Sequence, residues 1–169
     1  MRLDPHNYKE RYLAWKSSVN EGIPDISKRN SELIMNYITD MEHGLNVASV
    51  SKKGARSYAR LGNIRQRMIF LTKLFEEKYN LQDITQVSER NLHELFTGMR
   101  NGTIPRLDGK PYKCPSNYVK IFKAFWHWWQ KINRKQGVDI SDLTLDLDTS
   151  NDKPIWVYLT EDQIKKLYE

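Results

Sequence analysis

Lys120, Lys123, His127, Lys131 and Arg134 recur at spacings of three and four, so on a helix they form one row of cations. Such a row can lie in or across a groove of nucleic acid and neutralise phosphates, which is chemistry of recognition and not of bond breaking. A solvated helix face is the plainer alternative. Other constellations carry less. His93-Glu94 opens like a zinc-hydrolase helix, but Thr97 stands where the second histidine of the metal face belongs. Gly102 and Gly109-Lys110 are too far apart for a phosphate loop, and Pro111 follows the lysine where a helix would have to start. Asp139, Asp142, Asp146, Asp148 and Asp152 lack the ligand order, glycine and final glutamate of a calcium loop. Cys114 is the only cysteine and has no local histidine partner, which excludes disulfide frameworks and cysteine-based zinc sites. No catalytic residue, metal site or cofactor is expected in this chain.

The cations are segregated. The stretch from His43 to Phe75 contains no acidic residue, and neither does the stretch from Gly109 to Val138. Together they hold more than half of the 27 Lys and Arg residues, so their placement says more than the modest net charge of +6. A polyanion, duplex DNA above all, is the expected partner. The candidate contacts in the first tract are Lys52, Lys53, Arg56, Arg60, Arg65 and Arg67. In the second they are Lys110, Lys113, Ser116, Asn117, Lys120, Lys123, His127 and Lys131.

Helices must position these side chains. Asn7 to Ser18 forms a short one with Tyr8, Tyr12 and Trp15 on one side. Ser27 caps the next, whose face carries Leu33, Ile34, Tyr37, Ile38 and Met41 before Gly44 closes it. A third runs from about Ala55 to Tyr79 on a stripe of Leu61, Ile64, Met68, Leu71 and Phe75. Ser88 caps a fourth, with Leu92, Leu95, Phe96 and Met99 inside and Asn101-Gly102 at its end. The fifth, about Ser116 to Gln136, buries Tyr118, Ile121, Phe122, Phe125, Trp126, Trp129 and Ile132 and turns its cations outward. Trp128, at the edge of that stripe, is the one tryptophan of the group open to base stacking. Beyond Gly137 an acidic, Ser/Thr-rich segment without helical period reads as a linker, and Thr160 caps a last helix from Glu161 to Glu169. No alternation suggests strands. No apolar run approaches the roughly 18 residues of a membrane span, and the N-terminus turns polar too soon for a secretory signal, so a soluble cytoplasmic protein is expected. The expected fold is all-α: a compact orthogonal bundle of four main helices with a shorter one at the N-terminus.

Asp25-Ile26-Ser27-Lys28-Arg29-Asn30, followed by Leu33-Ile34 and Tyr37-Ile38, resembles the first bundle helix of the tyrosine recombinases (phage integrase family), particularly archaeal-type members. Gly109-Lys110-Pro111-Tyr112, Asn117-Tyr118-Val119-Lys120 and Phe125-Trp126-His127-Trp128-Trp129 resemble the last helix of their core-binding domain, a SAM-like four-helix fold. Leu159 to Leu167 is similar to the segment that opens their catalytic domain. Two departures stand out: the connection from Gly44 to Arg56 is longer than the usual short turn, and Cys114-Pro115-Ser116 replaces a frequent Thr-Lys, leaving a phosphate-contacting lysine missing or moved to Lys113.

The resemblance implies residues 1–24 as an N-terminal helix and connection, 25–138 as the DNA-binding core domain, 139–159 as a linker and 160–169 as the start of a truncated catalytic domain. It implies one half of a DNA clamp in integration or recombination, working with the catalytic domain of the same parent protein and with other recombinase protomers on DNA. It also implies a cytoplasmic, nucleoid-associated place. The family's Arg/His/Arg set and attacking tyrosine are not expected here, and Tyr168 lacks the surrounding cations that would activate it. The alternative is a helical protein- or RNA-interaction module with a basic face and no recombination role.

Overall fold

The computed structural model describes residues 4, 6–45, 54–150, 158 and 160–167. Lys52, Lys53, Tyr168 and residues 151–157 of the expected linker lie outside the described residues. Among the described residues there are six helices and no strand, so the all-α expectation holds. They are α1 (Tyr8–Ser18), α2 (Lys28–Glu42), α3 (Tyr58–Tyr79), α4 (Glu89–Asn101), α5 (Pro115–Arg134) and the short α6 (Glu161–Lys165), with a 3-10 turn at Ile84–Gln86.

Serines start three of these helices. Ser27, Ser57 and Ser88 accept hydrogen bonds from the backbone N–H groups of Asn30, Arg60 and Asn91, satisfying donors that have no partner inside the helix. Because Ser57 is the cap, α3 begins at Tyr58 and not at Ala55. Arg56 therefore precedes the helix, and its N–H donates to the Met41 carbonyl at 3.0 Å, at the end of α2. Gly44 makes that approach possible: at φ +83° it adopts the left-handed region, and a Cβ there would lie 2.8 Å from the Ala55 nitrogen.

The apolar stripes of α2, α3 and α4 are buried at every position that helical spacing assigns to them. α3 is the central element, packed on α1, α2 and α5, while α4 packs on α5. A polar key joins α2 to the chain after α3. Asn30 is fully buried, with its Nδ2 donating to Glu76 Oε1 (2.6 Å) and the Leu81 carbonyl (3.0 Å), and its Oδ1 accepting from Ile84 N–H (2.7 Å). All its amide groups that point inward are thus satisfied, which is the condition for burying them at little cost.

Two features of α5 differ from the pattern in the sequence. Trp128 is buried, not open to stacking, because Asp40 on α2 supplies an acceptor for its Nε1 at 2.7 Å, whereas Trp129 is only half-buried. The stretch 139–150 is also no solvated linker. It folds back as a strap on α5: Trp126 Nε1 donates to the Ser141 carbonyl, Gln130 Nε2 to the Ile140 carbonyl, and Lys123 Nζ to those of Thr144 and Leu145. Thr144 and Leu147 are buried under it, and Arg100 of α4 pairs with Asp148 at 2.8 Å.

Candidate nucleic-acid interface

Arg60, Asn63, Arg67 and Phe70 lie at spacings of three and four on the flank of α3 beside its buried stripe, and Phe70 meets α5 through Tyr118. Arg67 Nη1 donates to Asn63 Oδ1 (2.6 Å), and its guanidinium lies 5.7 Å from the centroid of the Tyr118 ring. Phe70, Tyr112 and Tyr118 pack pairwise at 5.3–5.9 Å beneath it, a rigid aromatic base for the charge. Burial and then the neighbouring Tyr118 push the Tyr112 hydroxyl above its ordinary pKa, so it stays a protonated donor. The Tyr112 N–H is tied to the Met99 carbonyl at 3.1 Å, which holds the loop before α5 against the end of α4.

An open groove results, lined by Arg67, Arg106, Tyr112, Lys113, Cys114, Asn117 and Tyr118. It joins the two acid-free tracts at one place. No acidic side chain lines it, although Arg106 pairs with Asp108 at 3.2 Å just outside. Arg106 lies outside both tracts and was not legible as a site residue. Its place follows from a turn at Asp108-Gly109, where the Arg106 N–H donates to the Lys110 carbonyl (2.9 Å) and Gly109 takes φ +75°. Lys110 and Lys120 are exposed near the two ends of this stretch of chain.

The remaining cations of α5 do not present the open row that their spacing suggests. Ser116 is buried in the first turn, between Pro115 and Val119, which line a cleft with residues 146–148. Lys123 is committed to two carbonyls of the strap. His127 Nε2 lies 3.0 Å from Asp142 Oδ2, and Arg134 lies 3.8 Å from Asp139 in an exposed pair. Burial would raise the Asp142 carboxyl, but hydrogen bonds from the Thr144 hydroxyl and N–H and from His127 outweigh it and hold the carboxyl below its ordinary range. An anion therefore stands beside α5. Lys131 is half-buried on the same helix.

The first tract is divided as well. Arg60 and Arg67 share the flank near α5, whereas the Arg65 guanidinium lies 4.7 Å over the Trp15 ring of α1. Lys73 pairs with Asp25 at 2.9 Å. Among the described residues no group of three or more His, Cys, Asp or Glu side chains is placed to hold a metal ion, and no helix is long and apolar enough to cross a membrane. Comparison with protein-family models, characterised proteins and solved structures finds no match to this chain.

Proposed function

We propose that this chain binds duplex DNA through the α3–α5 groove, as the SAM-like core-binding half of a tyrosine-recombinase clamp. The observation that carries this is the meeting of Arg67, Arg106, Lys113 and Asn117 around one groove with no acidic lining, on a floor of packed aromatic rings. Arginine forks and a lysine at such a surface suit backbone phosphates, and Asn117 offers an amide group for positioning. In this role the chain grips and orients, and strand cleavage belongs to a catalytic domain of the parent protein.

The resemblance of Asp25 to Ile38 and of Gly109 to Trp129 to that family supports the recombinase part, and the all-helical packing agrees with it. Fluorescence anisotropy with duplex DNA, single-stranded DNA and RNA, on the wild type and an Arg67→Gln/Lys113→Gln variant, tests the binding. Preferential duplex binding that the double variant loses is expected. Preference for RNA, or duplex binding indifferent to both substitutions, would replace it with the interaction-module alternative. A denaturation-resistant DNA adduct mapping to Tyr168 would overturn the division of labour.

A further inference from the structure

On the other flank of α3 a second, smaller groove separates that helix from α1, and Arg11 of α1 and Arg65 of α3 both line it. Arg65 is fixed by its stack on Trp15. Burial first, and then the charge of Arg11, bring its guanidinium below its usual pKa, so the two cations feel one another. Neither pairs with a carboxylate among the described residues. Glu42, the acid that Tyr12 of this groove contacts, is engaged by Lys16 and by the Tyr12 hydroxyl. On the α3 side Ala59 and Gly62 leave room, since nothing lies within 4 Å of where a Cβ on Gly62 would sit, and Asn63, whose Oδ1 accepts from Arg67, also lines the groove. Tyr58 and Gln66 add polar groups at the margin.

We propose that this groove is a phosphate-binding site in which Arg11 and Arg65 share one phosphate group. Two cations lining one groove favour an anion there, and a tetrahedral oxyanion with up to two charges answers both forks at once, whereas a carboxylate answers one. The phosphate comes from a free phosphorylated small molecule or from a nucleic-acid backbone. The site stands on α1 and α3 and touches the α3–α5 groove only through Asn63, which accepts from Arg67.

The test is a titration of the full chain with inorganic phosphate at constant ionic strength, followed by amide and guanidinium NMR shifts. Saturable shifts at Ala59, Gly62, Arg11 and Arg65 are expected, with acetate leaving them in place. Arg11 is exposed, so Arg11→Gln keeps the fold and is expected to weaken binding about tenfold, the loss of one charge-assisted hydrogen bond. Arg65→Gln, checked for folding by circular dichroism, is expected to weaken it as much or more. A short duplex that moves the same resonances identifies a backbone phosphate, and a nucleoside monophosphate acting alone identifies a small ligand. Absence of saturable shifts, equal response to acetate, or unchanged binding in both folded variants overturns the site. Loss of duplex binding in the Arg67/Lys113 variant with phosphate binding intact keeps the two sites apart.

Discussion

Glu42 holds α1 on α2 through two donors, the Tyr12 hydroxyl at 3.0 Å and Lys16 Nζ at 2.5 Å. Burial alone would raise its carboxyl, yet the bonds from Lys16 and Tyr12 and the charge of Lys16 set it below the ordinary value of 4.5. A carboxylate lowered on folding contributes stability above its unfolded pKa and loses that contribution as pH falls through the folded value. Glu42→Gln keeps an acceptor for Tyr12 and removes the charge, so it should cost about 1–2 kcal/mol near neutrality, the lower end reflecting the partial exposure of Lys16. The gap between wild-type and variant melting temperatures should narrow and close as the pH falls below the folded-state value. A gap that persists there would mean that Glu42 acts by shape and not by charge. None of this was visible in the sequence, because Glu42 and Tyr12 are 30 residues apart and on different helices. Trp128 escaped for the same reason: its partner Asp40 is 88 residues away.

The helices were legible and the strap was not, for a physical reason. Leu61, Ile64, Met68, Leu71 and Phe75 carry a 3.6-residue period, and burial of that stripe is what the period means. The strap has no period, and it is held through its own backbone carbonyls at 140, 141, 144 and 145, which look alike in every sequence. Ile140, Leu143, Leu145 and Leu147 are its apolar residues, and nothing in their spacing separates the buried Leu147 from the exposed Leu145. One substitution separates a packed strap from a linker, and a second tests the core of α5. Leu147→Ala should cost about 2–4 kcal/mol, as for other buried leucines, whereas a solvated linker would tolerate it within about 0.5 kcal/mol. Phe125→Ala, at a fully buried site against Tyr37 and Trp128, should cost about 3–5 kcal/mol. Denaturant melts of both variants read these losses directly, and an unperturbed Leu147→Ala midpoint would return 139–150 to solvent.

Across the whole molecule, folding redistributes the charge that is segregated along the chain. The two acid-free tracts meet at Arg67, Lys113 and Asn117, while the strap brings backbone carbonyls onto Lys123 and Asp142 onto His127. Lys123 and His127 of the α5 row are therefore engaged within the fold, and Arg106 joins the groove from outside both tracts. Salt dependence of duplex binding distinguishes the two groups, because each neutralised phosphate contributes about 0.9 to the slope of log affinity against log salt. Arg67→Gln, Lys113→Gln and Lys120→Gln should each flatten that slope by about 0.9, with similar losses on unrelated duplex sequences, since phosphate contacts position without reading bases. Lys123→Ala should leave the slope alone and lower stability instead, because its ammonium is spent on the Thr144 and Leu145 carbonyls. If Lys123→Ala flattens the slope while Arg67→Gln and Lys113→Gln do not, DNA lies along α5 with the strap displaced, and docking in the α3–α5 groove is wrong.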